Sequence, residues 1–440
     1  GLLAAVRDVG PLSAIGIDTW GVDYGLVNGA GTLSAQVHAY RSARTRGVPE
    51  QVFAAIPARE IYSINGLQVQ DFNTMFQLVA QARDNGIPRA SNGAYARTLL
   101  LLPDLLACFL TGQRVAEVTN ASTTGLVDAR LRTWSRPLLE RLRTELGLDL
   151  DGVLPDIVEP GTLIGPVRRE SLEVFGPDGS PTPVIAVGSH DTASAVVAVP
   201  AAGADFAYIS CGTWSLVGLE LDEPVLTLAS QAANFTNELG VDHTVRYLKN
   251  IMGLWVLNEA VRTWQRQGME ISLPELDAAA ATAEPLRTVV DINDSAFYAP
   301  GDMAARIDDA ARATDQPRPR SVGEYVRCIN DSLALAYRRA VRQAAELSGR
   351  EVKVVHMVGG GIHNRLLCQL AADATELPVL AGPAEGTALG NMVVAARGAD
   401  LLEGDLSDLR RLIRDSTRIT EYTPDPDAAD WDAAEGRLFG

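Results

Sequence analysis

The stretch "PVIAVGSHDTASAVVAVP", residues 183–200, joins an apolar segment to a polar turn and then to a run of small residues. Its first half predicts a buried β-strand that ends at Gly188, and its second half predicts a helix. Three polar residues, His190, Asp191 and Thr192, stand at the junction. A strand that delivers a carboxylate to the start of a helix is typical of an α/β protein with a ligand site at the carboxyl end of the strand.

The rest of the sequence repeats this alternation of strands and helices. The segment "FAYISCGTWSLVGLEL" (206–221) predicts two strands that are joined by a tight turn. The segment "VKVVHMVGGGIHNRLLCQLAADATELPVLAG" (352–382) predicts a strand, a glycine turn, a helix and a second strand. We therefore expect an α/β protein of two similar domains, residues 1–187 and 188–440, with a cleft between them in which a ligand binds.

Three segments of the first half have an informative composition. Residues 49–148 predict mostly helices. The connector "LPDIVEPGTLIGPV" (154–167) is rich in proline and glycine, so we expect it to contain neither a helix nor a strand. The first residues, "GLLAAVRDVGPLS" (1–13), predict the end of a helix that stops at Gly10, without the beginning of that helix. We therefore expect the first domain to be incomplete at its N-terminus.

The composition disfavours several classes of function. A net charge of −17 argues against a nucleic-acid partner, since such a protein needs a basic face to meet phosphates. No run of about 18 apolar residues occurs, so we expect no membrane span. Only two of the 38 Lys and Arg residues are lysines, Lys249 and Lys353, and neither follows a glycine loop, which excludes a P-loop site. The four cysteines form no CxxC pair, which favours free thiols in a cytoplasmic protein.

Asp191 is the first candidate functional residue, and two interpretations of it are open. It is placed to cap the helix that starts near Thr192. It is equally placed to act as a general base, because a helix N-terminus favours the ionised carboxylate and the end of a strand presents it to a ligand. His190 and Thr192 would then bind neighbouring hydroxyl groups. A His–Asp metal pair is disfavoured, because the five histidines show no metal-ligand spacing.

Two glycine-containing turns are candidate phosphate or nucleotide sites. Gly212 and Thr213 form either a simple hairpin turn or a turn whose amides and hydroxyl hold a phosphate. The segment "VGGGIHN" (358–364) opens a helix, but Asn364 stands where a dinucleotide-binding fingerprint has its last glycine. Its three glycines still offer bare backbone against which a flat ring or a phosphate fits.

The segment "DTWGVD" (18–23) places Asp18, Trp20 and Asp23 at the end of a strand. Trp20 is either a core aromatic or a surface on which a sugar stacks. Two carboxylates this close together repel each other unless hydroxyl groups or a metal ion separate them. Asp23 is accordingly a candidate substrate-binding residue.

Five segments taken together resemble the FGGY-type carbohydrate kinases. They are "GIDTWGVDYGLV" (16–27), "AVGSHDTASAVVA" (186–198), "CGTWSLVGLE" (211–220), "LKNIMGLW" (248–255) and "VGGGIHNRLL" (358–367). The resemblance implies two ribonuclease-H-like domains of the actin and hexokinase type around a cleft that holds a sugar and ATP. It is strongest with the branch that acts on L-rhamnulose. It therefore implies phosphorylation of the 1-hydroxyl of L-rhamnulose by ATP with Mg²⁺, in L-rhamnose catabolism.

The resemblance also assigns roles by position. Asp191 matches the catalytic base of the family. The sugar-binding positions match Gly21, His190, Thr192 and Asn250, to which we add Asp191 itself and Asp23. The ATP-binding positions match Thr213, Gly359 and Gly360, and Asn258 stands where relatives carry a nucleotide-contacting glutamine.

One part of the family's pattern lies outside this sequence. The family begins with an Asp-containing glycine-rich turn that holds Mg²⁺ and the ATP phosphates, and this chain starts after that turn. The resemblance therefore assigns no metal ligand within the chain and implies poor kinase activity of the 440-residue form. Two other interpretations are open. One is a kinase for another ketose, L-fuculose or D-xylulose, and the other is a non-catalytic relative that binds a sugar or a nucleotide.

Overall fold

The computed structural model describes residues 10–85, 97–168, 173–270 and 272–440. The helix end that the sequence predicts over the first nine residues lies outside the described residues. The helices are α1 (Val48–Ala55), α2 (Ala58–Asn65), α3 (Thr74–Asn85), α4 (Leu102–Thr111), α5 (Val118–Ala121), α6 (Arg136–Leu146), α7 (Asp191–Val197), α8 (Leu228–Ala232), α9 (Trp255–Arg266), α10 (Leu273–Ala281), α11 (Met303–Ala313), α12 (Val322–Ser348), α13 (Arg365–Thr375), α14 (Gly386–Gly398), α15 (Leu406–Ser416) and α16 (Trp431–Phe439).

The strands alternate with these helices along the chain. They are β1 (Ile15–Gly16), β2 (Tyr24–Val27), β3 (Thr98–Leu101), β4 (Val115–Glu117), β5 (Val127–Asp128), β6 (Thr133–Trp134), β7 (Asp156–Val158), β8 (Leu163–Pro166), β9 (Pro183–Ile185), β10 (Phe206–Cys211), β11 (Trp214–Leu221), β12 (Thr236–Leu239), β13 (Val245–Met252), β14 (Val354–Val358), β15 (Val379–Ala381) and β16 (Thr420–Tyr422). The predicted α/β class is therefore confirmed.

The chain folds as two compact units, each drawn from several stretches of sequence. Unit one contains the described residues up to Ala198, together with Glu220–Tyr247 and Thr387–Ile413. Unit two contains Val199–Leu219, Leu248–Gly386 and Arg414–Gly440. The predicted division of the chain after residue 187 stays a prediction.

In unit one, β9 lies between β1 and β8 in a three-stranded sheet. Strand β1 is parallel to β9, and β8 is antiparallel to it, with a shift of register between Leu163 and Gly165. The prediction that the connector 154–167 contains no strand is therefore wrong, because β7 and β8 both lie in it. An edge strand tolerates the proline at its end, since no neighbour on that side needs the missing amide, and the bulge absorbs the glycine.

Close packing of α14 brings a polar side chain to β1. A Cβ atom at Gly390 would overlap the carbonyl oxygen of Ser194 in α7, so glycine lets these two helices approach. A Cβ atom at Gly16 would overlap Oδ1 of Asn391, so the amide of Asn391 occupies the space beside β1. Apolar residues of β9, α7 and α14, among them Ile185, surround this contact with a buried core. The end of β1 is thus held next to the start of α7.

In unit two, β10 pairs antiparallel with β11 and parallel with β14. Strand β14 is parallel to β15, which is antiparallel to β16. The order of strand, glycine turn, helix and strand that residues 352–382 predict is confirmed by β14, α13 and β15. The 27-residue helix α12 is capped at its start by Ser321 and is followed by Gly349, whose φ of 69° is the left-handed conformation that favours glycine.

Residues 49–148 are mainly helical, as predicted, although the short strands β3 to β6 also lie there. All four cysteines are buried free thiols. Within the described ranges, none of the helices combines the length and apolarity that a bilayer crossing needs.

Candidate active site

The backbone around Asp191 is held along the end of β1. The amide of Thr19 donates to the carbonyl oxygen of Ser189 (3.0 Å), and the amide of Asp191 donates to the carbonyl oxygen of Thr19 (2.9 Å). Thr19 and His190 form a parallel bridge that continues the pairing of β1 with β9. Residues 189–191 therefore follow a fixed, extended path from the end of the strand to the start of α7.

Asp191 is the first residue of α7, and His190 occupies the cap position. The predicted cap position is therefore taken by His190 and not by Asp191, whose Oδ1 accepts a hydrogen bond from the adjacent amide of Thr192 (2.7 Å). The carboxylate is 42% exposed. An exposed carboxylate on a fixed backbone is able to accept a proton from a bound hydroxyl group.

Glu117 holds this segment from the side of β4. Its buried carboxylate accepts hydrogen bonds from the amide and hydroxyl of Ser189 (3.0 and 2.6 Å). It also accepts from the amide and hydroxyl of Thr119 (2.9 and 2.6 Å). Burial raises the pKa of Glu117, although these hydrogen bonds oppose the rise. Glu117 was not predicted from the sequence. A charged residue between the apolar residues Ala116 and Val118 could have indicated a buried carboxylate.

A second buried group contacts the side chains on both sides of Asp191. Arg246 is fully buried, and its guanidinium donates to Thr192 Oγ1 (2.9 Å) and lies 3.2 Å from His190 Nδ1. Glu238 Oε2 lies 3.1 Å from Arg246 Nη2 and neutralises it. Burial disfavours ionised Glu238, but the charge of Arg246, together with the neighbouring His190, outweighs it and holds the pKa of Glu238 below its usual value. This pair was not predicted from the sequence, although an arginine in the mostly buried strand β13 indicates a buried partner.

Asp18 is the other carboxylate of this region. Its Oδ2 accepts a hydrogen bond from Asn391 Nδ2. Burial raises the pKa of Asp18, the hydrogen bond from Asn391 opposes the rise, and the charge of Asp191 adds to it. The sequence paired Asp18 with Asp23, but the structure shows Asp191 as the carboxylate whose charge acts on Asp18. Two acidic side chains therefore share the end of β1.

The turn after Asp18 presents an aromatic side chain. Trp20 is 51% exposed, so it is a surface residue and not a core aromatic. Its Nε1 donates to Oδ2 of the buried Asp23 (3.0 Å), and burial raises the pKa of Asp23. Gly21 is needed here because a Cβ atom would lie 2.9 Å from Thr123 Oγ1. The turn thus offers an exposed indole above a buried carboxyl group.

Val22, at the centre of this turn, has a left-handed backbone with φ of 67°. That conformation is strained for a β-branched residue and persists only where neighbours impose it. Thr123 Oγ1 accepts from the amide of Val22 (3.2 Å). Thr74 Oγ1 and Gln77 Nε2 donate to its carbonyl oxygen (2.7 and 3.1 Å). Three side chains therefore fix the geometry in which Trp20 and Asp23 are presented.

Unit two contains the other candidates. Gly212 and Thr213 form the hairpin turn between β10 and β11, and their carbonyl oxygens accept from Leu254 N (3.0 Å) and Trp255 N (3.1 Å) at the start of α9. The predicted hairpin turn is thus present. Asn258 lies one turn into α9 and is exposed, as is Thr213.

The glycine turn after β14 lies against the end of β10. Cβ atoms at Gly359 and Gly361 would collide with Cys211, whereas a Cβ atom at Gly360 would meet nothing within 4 Å. Gly360 therefore presents open backbone, as a flat ligand requires. Thr213 follows β10 two residues after Cys211, the residue that Gly359 and Gly361 approach, while Asn258 lies in α9 and Asn250 lies half-buried in β13 of the same unit.

Comparison with protein families gives a consistent result. Residues 9–198 match the N-terminal domain of the FGGY family of carbohydrate kinases, and residues 207–399 match the C-terminal domain of that family. The two matches together cover most of the chain.

Curated relatives of high similarity include two rhamnulokinases. That of Bacteroides thetaiotaomicron is 42% identical over 423 residues, which are 96% of this chain and 84% of the relative. That of Enterococcus faecalis is 39% identical over 417 residues, which are 94% of this chain and 80% of the relative.

Solved structures of kinases share the fold at low sequence identity. Gluconate kinase from Lactobacillus acidophilus matches with a TM-score of 0.76 and 18% identity, over 100% of this chain and 85% of the other. Plasmodium falciparum glycerol kinase with ADP matches with a TM-score of 0.75 and 16% identity, over 96% of this chain and 83% of the other. These likenesses show the two-domain fold alone.

Asp104, in α4, is buried beside Glu117. Its Oδ1 accepts from the amide of Glu117 (3.1 Å), while Oδ2 is buried without a hydrogen-bond partner among the described residues. Burial, and then the charge of Glu117, raise the pKa of Asp104 well above its usual range. At pH values just above about 4, the ordinary pKa of an aspartate, the unfolded residue has therefore lost its proton while folded Asp104 still carries one.

We expect Asp104→Asn to change how stability depends on pH. Because the folded state binds more protons, the free energy of unfolding falls as pH rises, by at most about 1.4 kcal/mol per pH unit for one group. Asparagine does not titrate, so the variant gains stability relative to the wild type as pH rises above about 4, the ordinary pKa of an aspartate. Urea unfolding at several pH values measures this difference. Asp430→Asn, at an exposed helix cap, is the control, and parallel curves for wild type and Asp104→Asn would contradict the assignment.

Proposed function

Because the chain belongs to the FGGY family of carbohydrate kinases, we propose that it transfers the γ-phosphoryl group of ATP to the 1-hydroxyl of L-rhamnulose. The observation that supports this sugar is the similarity to two rhamnulokinases over almost the whole chain. The fold does not choose the sugar, since kinases of gluconate, xylulose and glycerol share it. L-Fuculose and D-xylulose are the alternative substrates.

Asp191 is the proposed base. The 1-hydroxyl of the sugar gives its proton to the Asp191 carboxylate while its oxygen forms a bond to the γ-phosphorus. The bond between that phosphorus and the bridging oxygen breaks, and ADP leaves. Phosphoryl transfer depends mainly on holding the nucleophile in line, so the value of Asp191 lies in its fixed backbone as much as in its basicity.

Unit one supplies most of the proposed sugar-binding residues. His190 and Thr192 flank Asp191, and Trp20 offers an exposed ring on which the apolar face of a sugar stacks. Gly21 and Asp23 follow in the same turn. Asn250, which lies in unit two, keeps the sugar-binding role that the resemblance assigns to it. Buried Asp23 Oδ1 has no hydrogen-bond partner among the described residues, which supports a role for Asp23 toward a ligand.

Unit two supplies the proposed nucleotide-binding residues Thr213, Asn258, Gly359 and Gly360. The open backbone at Gly360 supports contact with a flat base or ribose, and the exposed hydroxyl of Thr213 supports contact with a phosphate. We keep as a proposal the division into a mainly sugar-binding domain, residues 1–187, and a domain with the base and nucleotide site, residues 188–440, although compact unit one extends to Ala198 and so includes Asp191.

The proposal includes Mg²⁺, which neutralises charge on the transferred group when it is bound with ATP. Within the described residues, no three His, Cys, Asp or Glu side chains form a group that could hold a metal ion. These residues therefore do not form a protein cage for the metal. We propose that Mg²⁺ is held largely by the nucleotide phosphates, as it often is, with few ligands from the protein.

The proposed setting is the cytoplasm, with a small sugar and ATP as partners and neither nucleic acid nor membrane. The net charge of −17 and the four buried free thiols support it.

We expect Asp191→Asn to lower kcat by about 10²-fold or more, because Asn cannot accept the proton. The KM for the sugar should change little, since Asn keeps the size and polarity of Asp. Asp302→Asn is the matched control, because Asp302 is an exposed Asp at the start of another helix, where Asn caps equally well. A coupled assay of ADP release measures both variants. Wild-type turnover by Asp191→Asn would remove Asp191 from its role as base.

A panel of ketoses tests the sugar. We expect kcat/KM to be highest for L-rhamnulose, followed by L-fuculose and D-xylulose, because the chain is most similar to rhamnulokinases. Hydrogen bonds between the protein and the sugar hydroxyls distinguish such related sugars. Initial rates at saturating ATP give the three values. A clear preference for D-xylulose would overturn the proposed substrate while leaving the kinase assignment intact.

A further inference from the structure

The guanidinium of Arg246 donates from all three of its nitrogens. Nε donates to the carbonyl oxygen of Leu239 (3.3 Å), and Nη1 donates to Thr192 Oγ1 (2.9 Å). Nη2 meets His190 Nδ1 at 3.2 Å with hydrogen-bond geometry. A guanidinium has donors in a rigid, planar fork and no acceptor, and it stays charged at every relevant pH. One fully buried side chain therefore sets what two neighbours of Asp191 are able to do.

The contact with Arg246 decides where His190 carries its proton. Since Nη2 only donates, Nδ1 must offer a lone pair, and the single N–H of the neutral ring is then on Nε2. Nε2 lies 3.7 Å from Asp191 Oδ1. Nε2 also lies 3.3 Å from Thr192 Oγ1, so the N–H of His190 faces the side of Asp191 and Thr192.

Glu238 is the competing partner of the same ring nitrogen. Its Oε2 lies 3.1 Å from His190 Nδ1 and would favour the opposite tautomer if Nδ1 donated to it. Oε2 makes no well-aligned hydrogen bond among the described residues, whereas the contact of Arg246 with Nδ1 is aligned. Glu238 also lies 3.1 Å from Arg246 Nη2, where its charge balances that of the guanidinium. The geometry therefore favours a hydrogen bond from Arg246 to Nδ1 of His190, with Glu238 as the counter-charge of the guanidinium.

We propose that Arg246 is a positioning residue that holds His190 as the neutral Nε2–H tautomer and orients Thr192 as a hydrogen-bond donor. Thr192 Oγ1 accepts from Arg246 and lies 3.3 Å from both ring nitrogens of His190. With the lone pair of Nδ1 taken by Arg246 and a hydrogen on Nε2, neither ring nitrogen accepts from Thr192, whose hydrogen is then available to a ligand. Of residues 190–192, Asp191 is then the one acceptor. A sugar hydroxyl that lies among them receives hydrogen bonds from His190 and Thr192 and gives its proton to Asp191.

This arrangement explains why a buried arginine is placed beside the base. A His190 ring with its lone pair on Nε2 would offer the attacking hydroxyl a second acceptor and turn its proton away from Asp191. The catalytic consequence rests on the proposed function, but the tautomer itself does not. Lysine has neither the fork nor the reach to make these bonds together, so Arg246→Lys keeps the charge and removes the arrangement.

Long-range ¹H–¹⁵N spectra of the ¹⁵N-histidine-labelled enzyme test the tautomer directly. The chain has five histidines, and the signal of His190 is identified by its loss in His190→Gln. We expect the wild type to show the Nε2–H form. A wild-type spectrum of the Nδ1–H or the doubly protonated form would overturn the proposal without any variant that must fold.

Two variants separate the roles of Arg246 and Glu238. In Arg246→Lys, we expect His190 to lose the pure Nε2–H form, with kcat lower by about 10²-fold and a smaller change in the KM for the sugar. In Glu238→Gln, the Nε2–H form should persist, because Arg246 sets it. The reverse pattern, in which Glu238→Gln switches the tautomer and Arg246→Lys does not, would assign the control to Glu238.

Arg132→Lys is the matched control. Arg132 is paired with Glu159 through two hydrogen bonds (2.9 and 2.8 Å) and donates to the carbonyl oxygens of Gly240 and Thr244, between β12 and β13. Its substitution should change neither the His190 spectrum nor kcat. Equal loss of kcat in Arg132→Lys and Arg246→Lys would mean that a general structural effect explains both. If the tautomer is found but L-rhamnulose is not the substrate, the proposed function fails and this inference stands.

Discussion

The hydrogen bonds that buried Glu117 accepts from Ser189 and Thr119 are the constraint on which the site depends. Burying a carboxylate is costly unless it is hydrogen-bonded. Hydrogen bonds to a charged group contribute about 1.5–3 kcal/mol each, so these four offset a large part of that cost, while the raised pKa of Glu117 shows that burial still outweighs them. The gain for the protein is a peptide segment whose path is fixed immediately before the residue that carries the exposed carboxylate. Asp191 inherits that order without being buried itself.

Buried and exposed polar groups have different tasks in this protein. Glu117 and Arg246 are enclosed and use their hydrogen-bonding capacity on other protein atoms, and the enclosed Glu238 balances the charge of Arg246. Asp191 and Trp20 are partly exposed, which leaves the carboxylate of Asp191 and the ring face of Trp20 accessible to a ligand. Such a division suits phosphoryl transfer, in which the protein has little covalent chemistry to perform and orientation supplies much of the rate. The strained conformation of Val22 fits the same scheme, since strain is maintained where a precise geometry is required.

The sequence predicted the elements well where hydrophobic pattern and turn residues agree. Strands β10, β14 and β15 and the turns at Gly212 and Gly360 lie where the pattern put them. The connector 154–167 was misjudged, because proline and glycine exclude a central strand but are tolerated at a sheet edge. The exposed position of Trp20 was left open by the sequence, since a tryptophan pattern alone does not distinguish a core from a surface ring.

The positioning residues could not be predicted from local sequence. Glu117 meets Ser189 across 72 positions, and Asn391 meets Asp18 across 373. Such contacts depend on how helices and strands pack, which a single sequence does not reveal. What the sequence does hold is a weaker signal. Arg246 is a charged residue inside a mostly buried strand, and that pattern requires a buried partner without naming it.

A crystal structure with L-rhamnulose and a non-hydrolysable ATP analogue bound tests the central claim most directly. If the fixed segment 189–191 exists to orient the attacking group, the 1-hydroxyl oxygen of the sugar will lie about 2.6–3.2 Å from a carboxylate oxygen of Asp191. It will also lie within hydrogen-bond reach of His190 Nε2 or Thr192 Oγ1. A sugar bound with its 1-hydroxyl away from Asp191, for example against Asp18 or Asp23, would contradict the account.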